Sequence, residues 1–402
     1  MKFFVLMATL MLTLVAEARI QVLFHPHDPT LEAIAGCISD AKSTVDIAMY
    51  NMDITDQSPI IQTLKSPEVQ KRIQSGDLRI RMVLELYATP EENDKKRQAV
   101  EALGIDVRYL GKAVKVHHKF AVIDAGGALD RVITGSANWS LSSYKNYNEN
   151  ILFFTQEPEV TSRYQFEFNR LWNASKEFGV AKNYPDVPVP AYKDQPDIDI
   201  YFNSPKTIDP TSAEPSNITE QIVALIKGAK STLQIATTRV RIQSVMEELL
   251  AAAQRGVKAQ IIISQDDFSQ LMPRAKYLLN NPNIQLRIKF YNLNVGNYLT
   301  YQMHNKFMIV DGQTLETGSF NWSDSSENGH IENVVVLRNA AAQQVLPAYK
   351  KEFADIWDMG RTEYAATLES LQKGQHPECV IPQMVLTQPE IRQLLNYGRN
   401  CK

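Results

Sequence analysis

The sequence has few cysteines, little net charge and few long apolar runs, and each scarcity narrows the class of protein. Three cysteines in 402 residues exclude a small scaffold built on disulfides. A net charge of −3 argues against a strongly basic surface dedicated to nucleic acid. After the N-terminal segment, no apolar run approaches the roughly 18 residues that a membrane-spanning helix needs. The composition, 44% hydrophobic and 22% charged, is that of a globular chain long enough for two domains.

The N-terminal segment holds the one long apolar run. Lys2 precedes apolar residues 3–15, and the small-x-small sequence of residues 16–18 follows. This three-part pattern predicts a signal peptide over residues 1–18, cut after Ala18, and therefore a secreted or periplasmic protein.

Export would permit disulfides, but one of the three cysteines must stay unpaired. Cys379 and Cys401 both lie near the C-terminus, where a bond between them would staple the tail. Cys37 lies in an apolar helical pattern, which is typical of a buried free thiol.

A nine-residue stretch occurs twice. Residues 116–124 read VHHKFAVID and residues 303–311 read MHNKFMIVD. The apolar run between Lys and Asp predicts a buried strand in each copy, with His and Lys on one face because they are two residues apart. The shared positions are His117, Lys119 and Asp124 in the first copy and His304, Lys306 and Asp311 in the second.

The similarity between the halves continues downstream. GSANWS at residues 135–140 matches GSFNWS at 318–323, and NENI at 148–151 matches IENV at 331–334. The Asn and Glu of these segments are 11 residues apart in both halves. Such agreement in order and spacing indicates an internal duplication.

Strand patterns alternate with helical patterns in both halves, which predicts an α/β architecture with a mixed sheet covered by helices. Four prolines between residues 185 and 196 mark an extended linker. The predicted organisation after the signal peptide is a first domain at 19–180, a Pro-rich linker at 181–196, a second domain at 197–360 and a C-terminal tail at 361–402.

The repeated residue types suit the cleavage of a phosphodiester. Its negative charge repels nucleophiles, so a site must place cations and donors at the phosphate oxygens. One histidine can attack phosphorus and a second can exchange protons, while a glutamate fixes the tautomer of an imidazole. Each half supplies one histidine, so the halves must share a site. The candidate catalytic residues are His117, Lys119, Asn138, Glu149, His304, Lys306, Asn321 and Glu332; the supporting residues are Ser136 and Ser319, whose hydroxyls could also face phosphate, and Asp124 and Asp311, on the opposite strand face.

These two sets resemble the signature of the phospholipase D superfamily, H-x-K-x4-D followed by G-S-x-N and a downstream Glu. The resemblance extends over nearly the whole chain after residue 18. It implies two duplicated α/β domains, each a mixed β-sheet flanked by helices, packed with pseudo-two-fold symmetry around one active site. It also implies a phosphohistidine intermediate and no metal or cofactor.

The substrate is less determined, because the superfamily contains phospholipases, cardiolipin synthases and hydrolases, transphosphatidylases and nucleases. The low net charge and predicted export favour hydrolysis of phospholipid head groups at a membrane surface, by a monomer without a stable protein partner. A metal-independent nuclease, a cardiolipin hydrolase or transphosphatidylase, and an inactive binding protein of the same fold are the alternatives. The motifs do not determine which histidine attacks, and we favour His117.

Other residues receive structural predictions. His25 and His27 are expected at the surface, and His118 and His330 lack a histidine counterpart in the other half, so no role is assigned to them. Trp139 and Trp322, which directly follow the key asparagines, are expected to be core residues. Basic residues near the motif strands could line a phosphate-attracting cleft, with a solvated charged edge as the alternative reading; they are Lys112, Lys115, Arg239 and Arg241.

Overall fold

A computed structural model describes most of the chain. The described residues are 19–86, 89–111, 114–179, 182–203, 218–267, 278, 281–295, 300–375 and 379–398. The predicted signal peptide, the site of Lys112, and most of a helix that the sequence pattern predicts over 269–279 lie outside them.

The first repeat alternates strands and helices as predicted. Its elements are β1 (Arg19–His25), α1 (Thr30–Asp40), β2 (Thr44–Met49), α2 (Pro59–Leu64), α3 (Pro67–Ser75), β3 (Arg79–Leu84), α4 (Pro90–Glu101), β4 (Asp106–Tyr109), β5 (Lys115–Val116), β6 (Lys119–Ile123), β7 (Arg131–Gly135), α5 (Leu141–Asn146), β8 (Glu149–Thr155), α6 (Pro158–Ala174) and β9 (Lys176–Glu177).

The second repeat follows the same order. Its elements are β10 (Ile198–Asn203), α7 (Ile218–Gly228), β11 (Thr232–Thr237), α8 (Gln243–Gln254), β12 (Lys258–Ser264), a 3₁₀ turn (Gln265–Asp267), β13 (Ile284–Asn292), β14 (Lys306–Val310), β15 (Thr314–Gly318), α9 (Asp324–Gly329), β16 (His330–Leu337), α10 (Asn339–Trp357), α11 (Glu363–Gln372), β17 (Val380–Leu386) and α12 (Gln388–Tyr397).

Local sequence explains where several helices begin. Ser66 accepts a hydrogen bond from the backbone of Val69 and Pro67 opens α3, so the chain breaks between α2 and α3 as the sequence predicts. Thr89 and Glu92 form a capping box at the start of α4. Gly76, with φ of 82°, ends α3 in the left-handed conformation that glycine adopts most easily.

The two repeats form two mixed sheets of matching topology. The strand order is β1-β8-β7-β6-β2-β3-β4-β9 in the first sheet and β10-β16-β15-β14-β11-β12-β13-β17 in the second. In each sheet three neighbouring strands are parallel (β2, β3 and β4; β11, β12 and β13), and the other neighbours in these orders are antiparallel. Outside these orders, β5 of the first repeat pairs in parallel with β16. The duplication seen in the sequence is therefore a duplication of the fold.

The repeats share one hydrophobic core. Side chains from β1, β6, β7, β8 and α6 pack with side chains from β14, β15, β16 and α10 in a single cluster. Tyr349 of α10 lies edge-on to Phe24 of the first repeat and to Phe307 of the second, with ring centroids 5.1 and 5.0 Å apart. Each repeat also has a core of its own on the other side of its sheet. The common core holds the two sheets in the fixed relation that a shared site requires.

The linker and the C-terminal segment both pack against the domains. Asn169 donates a hydrogen bond to the carbonyl of Val187 in the linker, at 2.9 Å. The segment 361–402, predicted as a tail, instead contributes β17, which pairs antiparallel with β13 at the edge of the second sheet. The bounds of the domains remain a prediction.

The structure tests some of the predictions made for the cysteines and the tryptophans. Cys379 is disulfide-bonded, and Cys401, its expected partner, lies outside the described residues. Cys37 is a free thiol and is partly buried. Trp139 and Trp322 are 1% and 0% exposed, which confirms them as core residues. Among the described helices, none has the length and apolarity to cross a membrane.

Candidate active site

Both motif lysines stand at the start of a central strand. Lys119 opens β6 and Lys306 opens β14, and both side chains are buried. Each ammonium donates a hydrogen bond to the carbonyl of the histidine two residues earlier, at 2.6 Å in both repeats. Each bond ties a buried cation to the backbone of its histidine.

Each motif histidine is paired with the glutamate of the other repeat. His117 Nδ1 lies 2.8 Å from Glu332 Oε2. His304 Nδ1 is hydrogen-bonded to Glu149 Oε1 in the same way. The sequence indicated that these glutamates would orient imidazoles, but it left open which histidine each would serve.

Backbone pairing between the repeats explains why each histidine contacts the glutamate of the other repeat. Strand β5, directly before His117, pairs in parallel with the first residues of β16 in the second repeat. The His117 amide donates to the Ile331 carbonyl, and the His304 amide donates to the Asn148 carbonyl, both at 3.0 Å. Each histidine is thereby placed beside the strand that carries the other repeat's glutamate.

The asparagines and serines of the second motif occupy two different positions. The amide oxygens of Asn138 and Asn321 are buried and have no hydrogen-bond partner among the described residues, so both amides can take a ligand. Ser319 donates to Glu332 at 2.7 Å, and Ser136 accepts from the Asn150 amide at 2.9 Å. Both serine hydroxyls are thus hydrogen-bonded to the strands that carry the glutamates.

The motif aspartates lie at the far ends of their strands, away from the lysines. Asp124 accepts hydrogen bonds from the backbone amides of Lys42, Ser43 and Thr44, and Asp311 does the same for residues 230–232. Both adopt positive φ, 53° and 51°. They fasten the turns that lead into β2 and β11, in agreement with a structural role.

The imidazoles are neutral at neutral pH. Burial holds the pKa of His117 well below its usual value, against the attraction of Glu332. Burial, helped by the repulsion of Lys306, lowers the pKa of His304 to about 4. Each neutral ring donates its Nδ1 proton to a glutamate, which leaves the Nε2 lone pair available.

The surrounding charges are closely coupled. Burial opposes ionisation of Glu149, but the attraction of His304 and hydrogen bonds from histidines outweigh it and lower its pKa to about 2. The pKa of Glu332 is also lowered, because His117 outweighs burial. Burial lowers the pKa of Lys119 to about 8, and burial together with Lys119 lowers that of Lys306. An anion placed between the lysines would relieve this repulsion.

Sequence reasoning missed several residues around the histidines. His25, predicted at the surface, is fully buried with Nδ1 3.2 Å from Glu149, because β1 pairs with β8 so that His25 lies opposite Glu149. His27 is exposed, as predicted. The Tyr50 ring lies 4.7 Å from that of His117 and 5.1 Å from the ammonium of Lys119. A local pattern could not reveal these contacts, since they join distant segments.

His330, to which the sequence assigned no role, also lies in the site. Its ring centroid is 5.4 Å from that of His117, and its Nδ1 is 3.3 Å from Glu332 Oε1. At the equivalent place in the first repeat, the Tyr147 ring lies 5.7 Å from His304. His330 stands two residues before Glu332, so the alternation of side chains along a strand would have placed both on one face.

The remaining basic and histidine candidates make other contacts. His118 is buried between Asn333 at 3.2 Å and Glu167 at 3.3 Å, which is a structural position. Arg239 and Arg241 form ion pairs with Asp266 and Asp267, at 3.2 and 2.5 Å. The Lys115 ammonium lies 5.5 Å from the ring of Tyr50, close to His117. Lys115 thus contacts the same tyrosine ring that lies against His117.

Paired His, Lys, Asn and Glu side chains at the junction of two duplicated α/β domains define a phospholipase D-like site. The family model described as "Cardiolipin synthase, PLD-like domain" matches residues 34–172 and 222–357. The chain belongs to this family, and so to the phospholipase D-like phosphodiesterases that its motifs predict.

Among curated proteins, the chain is similar to mitochondrial cardiolipin hydrolases. It is 31% identical to the one from Chlamydomonas reinhardtii over 153 residues, which are 38% of this chain and 62% of that protein. It is 41% identical to the one from Danio rerio over 78 residues, 19% of this chain and 32% of that protein. The matches therefore span less than two thirds of these relatives.

Two solved structures show the fold over most of the chain. Phosphatidylserine synthase from Haemophilus influenzae superposes with a TM-score of 0.58 at 12% identity, over 94% of this chain and 93% of that one. Polyphosphate kinase from Porphyromonas gingivalis superposes with a TM-score of 0.54 at 16% identity, over 82% of this chain and 49% of that one.

The relatives correct the predicted location. The N-terminal pattern predicted a secreted or periplasmic protein, but the names of the similar curated proteins place those proteins in mitochondria. The prediction of export is therefore wrong. It depended on the composition of residues 1–18 alone.

Proposed function

We propose that this chain hydrolyses a phosphodiester bond of a phospholipid through a phosphohistidine intermediate. The observation that carries the proposal is the exchanged pairing of His117 with Glu332 and of His304 with Glu149. A double displacement at phosphorus needs two oriented imidazoles in one site, one neutral to attack phosphorus and one able to give and take a proton.

The phosphate binds between the two repeats. The ammonium groups of Lys119 and Lys306 stabilise its non-bridging oxygens, and the amide nitrogens of Asn138 and Asn321 donate hydrogen bonds to the same oxygens. The bound anion offsets the repulsion between Lys306 and His304, so the pKa of His304 rises when substrate binds. His304 can then carry the proton that a leaving group requires.

In the first step the Nε2 lone pair of His117 forms a bond to phosphorus. The bond from phosphorus to the leaving oxygen breaks, and His304 transfers its Nε2 proton to that oxygen. In the second step His304, now neutral, takes a proton from water. The resulting hydroxide attacks phosphorus, and the bond between phosphorus and His117 breaks. Glu332 and Glu149 keep the Nδ1 proton of each ring in place throughout.

Cardiolipin is the phospholipid we propose as substrate. The similar curated proteins are named cardiolipin hydrolases, and the family model is that of cardiolipin synthases. The net charge of −3 also disfavours a polyanion such as DNA as the main substrate. Water would break the bond between phosphorus and the oxygen of the central glycerol in either phosphodiester of cardiolipin, which releases phosphatidic acid and phosphatidylglycerol.

A paired substrate assay tests this function. Purified protein is incubated with phosphatidylcholine vesicles that contain cardiolipin, with vesicles of phosphatidylcholine alone, and with single- and double-stranded DNA. We expect phosphatidic acid to appear, by mass spectrometry, in the vesicles with cardiolipin, and both H117A and H304A to abolish its release. Degradation of DNA with intact vesicles would contradict the proposal in favour of a nuclease. Release of phosphatidic acid from vesicles of phosphatidylcholine alone would agree with phospholipid hydrolysis but would contradict the choice of cardiolipin as substrate.

A further inference from the structure

Three potential metal ligands meet at one edge of the site. His117, His330 and Glu332 each offer a nitrogen or oxygen atom, and these atoms all lie within 4.8 Å of one another. The family resemblance implied no metal, the motif lysines place a cation beside each motif histidine, and no carboxylate stands at ligand spacing from these histidines in the sequence. The fold supplies that carboxylate from the other repeat.

The cluster breaks the symmetry of the site. In the described part of the chain it is the one group of three His, Cys, Asp or Glu side chains with this proximity. Tyr147, the counterpart of His330 in the first repeat, lies beside His304, so that side of the site has a tyrosine where the His117 side has a histidine. Among the described residues, the potential metal ligands therefore group only on the His117 side of the site.

We propose that Zn²⁺ binds reversibly to His117, His330 and Glu332 and inhibits the enzyme. Two imidazoles and one carboxylate are a common zinc ligand set, in which a fourth position stays open to water. His330 remains partly exposed, with 15% of its side-chain surface accessible, so the ion can reach the cluster from solvent. The inhibition rests on the proposed function, whereas binding of the ion does not.

The chemistry of the imidazole explains the inhibition. Neutral His117 donates its single ring proton from Nδ1 to Glu332, which leaves the lone pair on Nε2. When Zn²⁺ takes the Nδ1 position, that ring proton moves to Nε2 or the Nδ1 proton is lost to solvent. In the first case Nε2 has no lone pair for phosphorus, and in the second the metal withdraws electron density from it. Glu332 also becomes a ligand and no longer orients the ring.

The neighbouring cation limits the affinity. Lys119 lies close enough to alter the pKa values of both His117 and Glu332, and its charge repels a divalent ion. We therefore expect binding on the order of micromolar, far weaker than a structural zinc site, so that a chelator reverses it.

Zinc binding is measured directly, on protein free of any polyhistidine tag, by competition with a chromophoric zinc chelator. Wild type is expected to bind one Zn²⁺, and H330Y, which installs the residue type of the first repeat, to bind at least tenfold more weakly. H27Y removes an exposed histidine that is not part of the cluster and serves as the matched control. H330Q is a second variant, in case the tyrosine disturbs folding.

Activity gives the second readout, with each variant compared with its own rate in chelator. Zinc should inhibit wild type and H27Y at the concentrations at which it binds them. It should inhibit H330Y or H330Q only at concentrations at least tenfold higher. Equal binding by wild type and both His330 variants, or none by wild type up to millimolar Zn²⁺, would overturn the proposed site. Binding without inhibition would overturn the inhibitory role alone. If neither wild type nor any variant hydrolyses phospholipid in vesicles, the proposed function is contradicted, while the zinc-binding result is unaffected.

Discussion

At the scale of single residues, the pairing of the glutamates is what the structure adds to the motifs. The sequence identified Glu149 and Glu332 as partners for imidazoles, but the two copies are so similar that it could not show which histidine each would serve. The choice is made by backbone hydrogen bonds from His117 and His304 to the strands of the opposite repeat. Such bonds join residues more than 150 positions apart, and no local pattern records them.

Because each histidine is paired with the glutamate of the other repeat, we predict that each glutamate controls the catalytic step that its partner histidine performs. With a phosphodiester of p-nitrophenol, whose leaving group needs no protonation, E332Q should lose the rapid burst of p-nitrophenol, because His117 is no longer oriented for attack. E149Q should keep the burst and slow the later turnover, because His304 activates water. Each loss should be roughly 10²- to 10⁴-fold in the affected step.

Stopped-flow absorbance separates these two phases. E68Q, which changes an exposed glutamate of α3, is the matched control and should behave as wild type. The assignment is wrong if E149Q removes the burst and E332Q leaves it intact.

At the scale of helices and strands, the sequence predicted most of the alternation and the two motif strands. Hydrophobic patterning and Pro or Ser at helix starts are local signals, and they were sufficient for elements such as α3 and α4. The burial of His25 was missed because it depends on the register of β1 against β8, about 125 residues away. The role of β17 was missed for the same reason, since a strand at the edge of a sheet is defined by its partner.

Strand β15 carries a buried carboxyl group that has no counterpart in the first repeat. Glu316 is 1% exposed, and its Oε2 has no hydrogen-bond partner among the described residues. The equivalent position in β7 is Ile133, since Ala121 faces Ile133 as Met308 faces Glu316. Burial raises the pKa of Glu316 to about 8. A carboxyl group here must stay protonated in the folded protein.

The sign of the effect on stability follows from this raised pKa. Below about pH 4.5, Glu316 is protonated in both folded and unfolded chains and has no pH-dependent effect. As the pH rises from there to about 8, the unfolded state ionises and the folded state does not, so stability falls, by roughly 3 kcal/mol at pH 7. E316I should therefore raise the unfolding free energy more at pH 8 than at pH 5.

Denaturant unfolding at both pH values checks this prediction. E316Q should remove the pH dependence while keeping a buried polar group, and I133V in β7 is a control that should shift stability equally at both pH values. A gain from E316I that is the same at pH 5 and pH 8 would show that Glu316 is not the source of the pH dependence.

At the scale of the whole molecule, duplication explains why one chain needs both repeats. The shared core around Tyr349 fixes the two sheets, and the exchanged strand pairing then completes each half of the site with residues of the other. The superfamily and the fold were predicted from the two motif sets, because their order and spacing are specific. The location was predicted wrongly, because that prediction depended on one short apolar segment, whereas the motifs occur twice and support each other.

Trapping the covalent intermediate tests the shared site most directly. With the p-nitrophenyl phosphodiester, H304A should still form the adduct but should fail to activate water, so the phosphorylated enzyme accumulates. Digestion at neutral or alkaline pH, where phosphohistidine survives, followed by mass spectrometry should place the phosphoryl group on His117 in H304A and on no residue in H117A. An adduct on any other residue, or ordinary turnover by H304A without accumulation, would contradict a site in which His117 attacks and the histidine of the second repeat completes the reaction.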